Sequence, residues 1–492
     1  MTKKSNYDLN LDLTSLKAHA NFSAGLLALD FGTAFSKACV RKGGFGGSVV
    51  PLELGLISGG SSGSSAQPNP YVLASTIFVD EGRFLFGPSA YSAGLNAPAG
   101  RRRFDSPKLL FNKDDLSALM EKPVSSDMVP GAVTFTEYDL ILLYLGYFTS
   151  MVGSALQRYD LNRHLPRRFA VPGWTPFRAK RYAAQLFELL ASAQVLADTF
   201  GGRWEQGLPI EDVRKAIDQI LDLSVEQLPL KLVDMGMHEA SAAGACIFNP
   251  RWRTPRLFIV IDVGAGTIDF GGFVLFRPLP RRDQNFKLAQ LRDTSLAVEY
   301  GGNYIDECLT EIAIQKSSAP EHQRSATFRS LRRQARESKE ALFRDGYIDL
   351  EIIRTEGITI YLDDLLNSQN IKYMEKTLKS TFEDLIGRIG IPAFERHSYH
   401  AEVYITGGGA RLPFVSAMLE TPFRYDRRSL KFTKYLEAPK WMAESNAEWL
   451  PYFSQLAIAI GATSEEVPDD AGPYSSAALA PGPRVVARPR RR

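Results

Sequence analysis

The sequence predicts an α/β protein whose chain folds into two similar lobes. One observation is a repeated pattern, an apolar strand that ends in Asp-x-Gly and is followed by a second strand, around Asp30 and again around Asp262. A second is that strand-like and helix-like segments follow both copies, as in proteins with helices packed on sheets. A third is that a chain of 492 residues, 45% of them hydrophobic, can bury several core layers. Each half is too long to be a solenoid repeat, so we expect two lobes.

Four segments are expected along the chain. Residues 1–24 predict a flexible N-terminal segment, 25–250 the first lobe and 251–464 the second lobe. Residues 465–492, rich in Pro, Ala and Ser with an Arg-rich end, predict a disordered basic tail. A low-complexity Gly/Ser/Pro loop, Ser58–Pro70, interrupts the first lobe.

Composition restricts the class and the compartment. The net charge of +3 gives no global argument for nucleic-acid binding, although the terminal RPRRR could contact nucleic acid or acidic partners; a solubilising end is the simpler interpretation. Cys39, Cys246 and Cys308 fit neither a disulfide framework nor a metal knuckle. No apolar run resembles a secretory signal or reaches the roughly 18 residues of a membrane span. We therefore expect a soluble, cytoplasmic protein without membrane partners.

In the first lobe, LLALDFG predicts a buried strand that begins at Leu26, followed by a second strand and a Gly-rich turn. YVLASTIFVDEGRFLFG predicts a strand, a turn at Asp80–Gly82 and another strand. Helical spacing of apolar residues covers Tyr138–Leu156, and PFRAKRYAAQLFELLASAQVLADTF predicts an amphipathic helix. A further helix around Ile210–Leu223 lies in an insertion, 199–232, that is either a partner surface or an ordinary addition to the outer face.

In the second lobe, the strand, Asp-x-Gly and returning strand recur as LFIVIDVGAGTIDFGGFVLF, from Leu257. A third strand ends in glycines at AEVYITGGGARLP, and FSQLAIAIGA predicts a final helix.

The hairpin IDVGAGTIDFG has the residue types of a phosphate-binding turn. Glycines let the backbone approach a ligand closely, and consecutive amide N–H groups can surround an anion. Asp262 and Asp269 beside phosphates make sense around hydrated Mg²⁺, which prefers oxygen ligands and keeps several waters. The Thr267 hydroxyl would lie next to the terminal phosphate. For either hairpin alone, a surface turn whose Asp and Gly serve only the backbone is the alternative.

Two other nucleotide motifs are excluded. A P-loop requires a Gly-Lys pair, which the chain does not contain. A dinucleotide fingerprint would need a third glycine where Asp269 stands and a helix where the sequence predicts a returning strand.

Three motifs together resemble a known superfamily. LALDFGTAFSK, IDVGAGTIDFG and YITGGGARLP are similar, in this order, to the first phosphate, second phosphate and adenosine motifs of the superfamily of actin, hexokinase and heat-shock protein 70. FAVPGW, MHEASAAGACIF, EYGGNYIDECLTE and FSQLAIAIGA resemble segments of the heat-shock protein 70 (DnaK) nucleotide-binding domain, so that the resemblance covers roughly Leu26–Ala462. It implies a two-lobed actin-like ATPase fold with ribonuclease-H-like lobes, and ATP or ADP with Mg²⁺ between them.

The resemblance also implies roles for individual residues. Asp30, Asp262 and Asp269 would surround Mg²⁺ and the attacking water, Glu239 would orient that water or complete the metal shell, and Lys108 would be the catalytic lysine. Phosphate, sugar and base would be bound by Gly32, Thr33, Ala34, Gly264, Ala265, Gly266, Thr267, Gly301, Gly302, Lys339, Gly407, Gly408, Gly409 and Arg411.

The chain departs from the family pattern at several positions. The catalytic lysine falls at Pro107 without a gap, so that Lys108 takes the role only with a shift of one residue. Arg336 stands where a glutamate is usual, Glu337 is one place late, and Phe343 replaces a small hydroxyl residue. A solvent-exposed helix face is the simpler interpretation of these positions. The departures favour ATP binding over fast hydrolysis.

The expected function is ATP binding with slow hydrolysis to ADP and phosphate, acting as a conformational switch toward an unidentified protein partner. Only a short tail without an apolar linker run follows the final helix, so no client-peptide domain is expected. The alternatives are an actin-like filament-forming ATPase and a small-molecule kinase on the same fold.

Overall fold

Two large mixed sheets with helices on their faces form the framework of this mixed α/β protein. The structure is a computed structural model. It describes residues 9–468 except for 45, 58–68, 99, 114–115, 172–175, 250–251, 253, 278–285, 318–323, 352–356, 421–422, 426–427, 445–446 and 466.

The strands are β1 Gly25–Asp30, β2 Phe35–Lys42, β3 Val49–Pro51, β4 Leu73–Ala74, β5 Thr76–Asp80, β6 Arg83–Phe86, β7 Phe104–Asp105, β8 Arg167–Val171, β9 Leu208–Pro209, β10 Val233–His238, β11 Arg256–Val263, β12 Ile268–Phe276, β13 Lys287–Gln290, β14 Leu296–Val298, β15 Tyr347–Leu350, β16 Ile358–Tyr361, β17 His400–Thr406, β18 Phe423–Tyr425 and β19 Arg428–Tyr435. The helices are α1 Leu54–Ile57, α2 Gly87–Leu95, α3 Lys108–Lys113, α4 Leu116–Met120, α5 Glu137–Gln157, α6 Pro176–Phe200, α7 Ile210–Leu221, α8 Glu239–Ile247, α9 Gly302–Lys316, α10 Arg324–Asp345, α11 Leu362–Leu366, α12 Gln369–Ile389, α13 Ile391–Arg396, α14 Pro413–Glu420, α15 Lys440–Ala443 and α16 Phe453–Ala462.

The two large sheets have the same strand order. In the first, β10, β8 and β1 are parallel neighbours, and β1, β2 and β3 continue as an antiparallel run. In the second, β19, β17 and β11 are parallel, and β11, β12 and β13 continue antiparallel. Each sheet therefore begins with a long hairpin, β1–β2 or β11–β12, and then adds parallel strands on the outer side of the first strand. The predicted repetition of one strand pattern is confirmed at the level of sheet topology.

The central strands owe their position to their composition. Every residue of β1 (GLLALD) and of β12 (IDFGGFVLF) is buried, as expected for strands covered on both faces. The turn predicted at Asp80–Gly82 is confirmed: Glu81 and Gly82 both have positive φ between the antiparallel strands β5 and β6.

Helix α5 is the central helix of the first hydrophobic core. A capping box between Thr136 and Asp139 starts it, and it packs against the long helix α6 and against β5. Among the described residues, α5 alone has the length and apolar composition of a membrane-spanning helix, and 89% of its most apolar window is buried inside the protein. The core helix of a folded domain has this same character.

Helices α8 and α16 pack against each other between the two sheets. A Cβ on Gly461 would lie 1.7 Å from the carbonyl oxygen of Ala242, so only glycine permits this crossing. Side chains of the first sheet, including Ala28 and Ala170, and of the second sheet, including Phe258 and Phe273, share one buried cluster with α8. We call this set the shared cluster.

Helix α10, which packs on α9, also contacts the loop after α2. Arg333 donates hydrogen bonds to the carbonyl oxygens of Ala97 (2.5 Å), Pro98 (3.0 Å) and Arg101 (2.9 Å). Arg103 donates to the carbonyl oxygen of Arg333 (3.4 Å). These four contacts, here called the Arg333 bridge, connect a helix of the second half to a loop of the first.

The described part of the N-terminal segment, which begins at residue 9, makes contacts with the first core. The backbone N–H of Asp12 donates to the Thr199 hydroxyl (3.0 Å), and Ser15 is buried. Leu9, Leu11 and Leu13 pack against the first core. The three leucines alternate with polar residues, so the segment has an apolar face although its overall composition is polar.

The helix predicted in the insertion is confirmed as α7. Its apolar face is buried in the first core, and Arg214 pairs with the buried Asp139 at 2.7 Å. This face is therefore part of the core, whatever the opposite face does. Residues 58–68 of the predicted Gly/Ser/Pro loop, and almost all of the predicted tail 465–492, lie outside the described residues.

Candidate functional site

A cavity of about 420 Å³ lies where the β1–β2 and β11–β12 hairpins face each other, within the usual size of small-molecule sites. The predicted residues that line it are Asp30, Gly32, Thr33, Ala34, Lys108, Glu239, Asp262, Gly264, Ala265, Gly266, Thr267, Gly302, Lys339, Gly407, Gly408, Gly409 and Arg411. Two predicted residues, Asp269 and Gly301, do not line it: Asp269 lies opposite Asp262 in the second hairpin, and Gly301 lies behind the turn of that hairpin. The sequence motifs thus converge on one site.

The first hairpin brings an acid and a base together. In the antiparallel register of β1 and β2, Asp30 lies opposite Lys37. The Lys37 ammonium donates to Asp30 Oδ2 at 2.9 Å, and the carboxylate is buried. Residues 31–34 connect the two strands, and three of them, Gly32, Thr33 and Ala34, line the cavity.

The second hairpin places two acids opposite each other. Asp262 pairs with Asp269 in the register of β11 and β12. The Thr406 hydroxyl donates to Asp262 (2.8 Å), and the Thr267 hydroxyl donates to Asp269 (2.7 Å). The turn is closed by the Gly264 N–H, which donates to the carbonyl oxygen of Thr267 (3.0 Å).

The start of α9 fixes the second turn from behind. The Gly302 N–H donates to the carbonyl oxygen of Gly264 (3.1 Å) and the Asn303 N–H to that of Ala265 (2.8 Å). A Cβ at Gly301 would lie 2.5 Å from the Ala265 oxygen. Gly301 therefore supports the turn rather than facing the cavity.

The tips of the two hairpins nearly touch. A Cβ on Gly266 would lie 2.8 Å from both Thr33 Oγ1 and Leu109 Cδ2. The second tip can approach the first so closely only because residue 266 has no side chain.

The third glycine turn follows β17. Gly407 has a φ of 87°, and its Cβ would lie 2.3 Å from the carbonyl oxygen of Val263, so that glycine is required there. The Gly409 N–H donates to the same Val263 oxygen (3.0 Å), which joins this turn to the second hairpin. Arg411 stands at the rim, its side chain 79% exposed.

Lys108 and Glu239 form a buried ion pair on the cavity wall. Lys108 begins α3 and Glu239 begins α8. Burial lowers the pKa of Lys108, while the carboxylates of Asp30 and Asp269 oppose this effect. Lys108 lines the cavity, as it would have to if a one-residue shift of the chain made it the catalytic lysine.

Burial disfavours the charged form of the two carboxyl groups in the second hairpin. Burial raises the pKa of Asp262 to about 6; the Thr406 hydrogen bond opposes this and the neighbouring Asp269 adds to it. Burial also raises the pKa of Asp269, opposed by the Thr267 hydroxyl and by Lys108. Raised carboxyl pKa values in a cleft are typical of functional sites.

Helix α10 forms one wall of the cavity through Arg336, Lys339, Glu340 and Phe343. Lys339 donates to the carbonyl oxygen of Gly302 (2.9 Å) and pairs with Asp306 (2.8 Å). The solvent-exposed interpretation of Arg336 and Phe343 is therefore wrong. Both face the cavity because they lie one helical turn before and after Lys339.

Sequence reasoning missed Lys37, Arg336 and Asn303 as lining residues. Lys37 lies opposite Asp30 because six residues, 31–36, separate the two in the hairpin, a register that the sequence alone does not fix. The i, i+3 spacing to Lys339 was the signal for Arg336. No sequence signal marked Asn303.

The donor set of the cavity limits how a divalent cation could be bound. In the described part of the chain, no three His, Cys, Asp or Glu side chains converge on one point. Asp30 and Asp262 both line the cavity beside glycine turns, which suits a hydrated Mg²⁺ that keeps most of its waters. The residues therefore fit water-mediated Mg²⁺ and do not form a direct three-ligand cage.

A comparison with protein-family models gave no match, and a comparison with curated proteins gave none either.

Proposed function

We propose that this chain is an ATP-binding protein with a two-lobed actin-like ATPase fold, similar to the nucleotide-binding half of heat-shock protein 70. In this proposal it binds ATP or ADP with Mg²⁺, hydrolyses ATP slowly and acts as a switch toward a protein partner. One observation carries the proposal: three glycine turns, around Gly32, Gly266 and Gly408, lie far apart in the sequence and line one cavity.

The sheet topology supports the proposed fold. Two sheets of identical strand order, each opened by a hairpin whose turn lines the cavity, are what a duplicated ribonuclease-H-like lobe would give. The shared cluster and the α8–α16 crossing lie between them.

The cavity suits a nucleotide phosphate chain. The turn residues Gly32–Ala34 and Gly264–Thr267 bring backbone amides to its wall. The ammonium groups of Lys37, Lys108 and Lys339 also line it, each beside a carboxylate from which a phosphate could draw it. Mg²⁺ at Asp30 and Asp262 would neutralise phosphate charge and favour a fixed phosphate geometry.

Hydrolysis requires a water molecule in line with the terminal phosphate. Its oxygen forms a bond to the γ-phosphorus, the bond from that phosphorus to the β,γ-bridging oxygen breaks, and ADP leaves with the bond's electron pair. The proton lost by water would pass to a carboxylate of the site or to an oxygen of the released phosphate. Glu239, expected to orient the water, is engaged by Lys108. This engagement supports slow turnover.

A thermal-shift experiment tests nucleotide binding. Millimolar ATP with Mg²⁺ should raise the melting temperature, because a ligand selective for the folded state stabilises it by mass action. Gly266→Val should abolish the shift, since its side chain would occupy the space between the two tips.

Gly387→Val is the matched control. Gly387 is exposed on α12, and a Cβ there meets nothing within 4 Å, so this variant should keep the full shift. A wild-type protein whose melting temperature does not respond to ATP or ADP contradicts the proposal.

The partner is to be sought by affinity purification in ATP and in ADP. The proposal expects proteins retained in one nucleotide state and released in the other, since the nucleotide would contact both hairpins at once. Identical retention in both states contradicts the switch while leaving nucleotide binding intact.

A further inference from the structure

Arg336 has an unusual environment on the cavity wall. Its guanidinium lies over the ring of Phe35 (5.0 Å to the centroid) and near that of Tyr91 (5.9 Å). Among the described residues, no carboxylate, carbonyl or hydroxyl oxygen accepts a hydrogen bond from it, and no ion pair involves it. A half-buried guanidinium has five N–H donors, and here all of them remain for a ligand or water.

Neighbouring arginines share this region. The N–H groups of Arg333 donate to the carbonyl oxygens of the Arg333 bridge. Carbonyl oxygens carry no net charge, so these bonds do not neutralise the guanidinium. Burial lowers the pKa of Arg333, and the nearby Arg103 and Arg329 lower it further, which indicates crowding of positive charge. Arg103 itself pairs with Asp105 (2.9 Å).

Acidic groups are also present on the same helix. Glu337 lies near Tyr91, whose buried hydroxyl has no hydrogen-bond partner among the described residues, and Glu340 lines the cavity beside Lys339. Neither approaches Arg336 closely enough to form an ion pair among the described contacts. Both carboxylates interact electrostatically with Arg336 without accepting a hydrogen bond from it, so the guanidinium beside Phe35 keeps its N–H donors for a ligand.

The order of the residues along the cavity wall indicates which part of a nucleotide would contact Arg336. Phe35 directly follows the first glycine turn, and Lys339, at the second turn, is one helical turn from Arg336. With phosphates at the two turns, the next group of the ligand is its ribose. A substituent on the 2′ or 3′ oxygen of that ribose would extend toward α10.

We propose, resting on the proposed nucleotide site, that Arg336 makes this a site for nucleotides that carry a second phosphate on the ribose. The guanidinium matches a phosphate with two parallel N–H···O bonds, whereas an unmodified ribose offers only hydroxyls. An arginine near the ribose is also how dinucleotide-binding proteins accommodate a 2′-phosphate.

The test compares AMP with adenosine 3′,5′-bisphosphate and adenosine 2′,5′-bisphosphate by isothermal titration calorimetry at fixed ionic strength. We expect at least one bisphosphate to bind the wild type about tenfold or more tightly than AMP. In Arg336→Gln this preference should disappear while AMP affinity changes little. Arg332→Gln, four residues earlier on the same helix, changes an exposed side chain that pairs with Glu307; it is the matched control and should keep the preference.

Each result decides the proposal. Equal affinity of the wild type for AMP and both bisphosphates overturns it, as does a preference that survives in Arg336→Gln. An equal loss of AMP and bisphosphate binding in Arg336→Gln also overturns it, because Arg336 would then contact the base or the unmodified sugar. If ATP and ADP bind and only the preference is absent, the proposed function stands; if no nucleotide binds, both fail.

Discussion

The two hairpins of the site differ at one pair of residues, and this difference governs the charge of the cavity. Asp30 faces Lys37, so its charge is compensated within the first hairpin. At the equivalent place in the second hairpin, Asp262 faces Asp269. Without a bound cation, the second hairpin holds two buried acids whose ionisation is unfavourable.

A pH prediction follows from Asp262. Its pKa of about 6 in the folded protein lies above the usual 3.8, so the folded state binds the proton more tightly than the unfolded chain does. The resulting destabilisation, on the order of 3 kcal/mol at most, is complete above about pH 6 and disappears as the pH falls toward 4.

Asp262→Asn removes this titration and keeps an oxygen for the Thr406 hydroxyl. Without nucleotide or divalent cation, the variant should therefore melt higher than the wild type at pH 7, and the two should converge near pH 4. Melting temperatures measured across this range check the prediction. A difference that is independent of pH contradicts the raised pKa.

A second residue-level prediction separates binding from chemistry. Asp262→Ala and Glu239→Gln should lower ATP hydrolysis at least tenfold, because these carboxylates are placed to arrange cation and water. ATP should still bind, because backbone amides and lysines hold the phosphates. Single-turnover hydrolysis and equilibrium binding, measured on the same preparations, check this; a parallel loss of both in both variants would count against it.

At the residue scale, the sequence predicted those positions at which the backbone requires a particular residue type. Gly266 and Gly407 could be predicted because only glycine permits the close contacts found there. Asn303 could not, since its place depends on how α9 packs behind the second turn. Arg336 was misjudged because a charged residue on a helix usually faces solvent, and only tertiary packing places this one in a cavity.

At the scale of elements, the Arg333 bridge restrains the cavity. It ties α10, which forms one wall, to the loop after α2, so any outward movement of α10 must break its hydrogen bonds. Together these bonds resist opening by roughly 1–3 kcal/mol.

We therefore predict that Arg333→Ala accelerates ADP release about tenfold, because each 1.4 kcal/mol corresponds to a factor of ten. Stopped-flow displacement of a fluorescent ADP analogue measures this rate. Arg332→Ala, which removes an exposed arginine paired with Glu307 on the same helix, serves as the control and should release ADP at the wild-type rate. Unchanged release in Arg333→Ala would show that the bridge does not restrain the site.

The long helices could be predicted from the sequence, whereas the segments against which they pack could not. The predicted helices at Tyr138–Leu156 and around Ile210–Leu223 are confirmed as α5 and α7, because apolar spacing reports a buried face directly. That the face of α7 joins the first core, and that residues 9–17 pack on it, depends on chain segments distant in sequence. A single sequence does not encode such pairings in a local pattern.

At the scale of the whole molecule, the shared cluster connects the two sheets. Because it contains side chains from both, neither half can unfold without exposing apolar surface of the other. We predict one cooperative thermal transition, with equal calorimetric and van't Hoff enthalpies.

Gly461→Val tests the origin of this cooperativity. Its side chain would meet the backbone of α8 and force α16 away, so the transition should shift down by several degrees and broaden or split. Differential scanning calorimetry resolves the two cases. Two separate transitions in the wild type would mean that the halves unfold independently.

The shared cluster also gives the protein an intrinsic optical reporter. Trp252 packs against it, edge to face with Phe258 (6.4 Å), and the Arg256 guanidinium lies 4.6 Å from its ring. Of the tryptophans that the structure describes, none lines the cavity. In a variant whose other four tryptophans are replaced by phenylalanine, a change in Trp252 emission on adding a colourless ligand would therefore report a rearrangement of the shared cluster, and its time course would follow that rearrangement rather than the binding event.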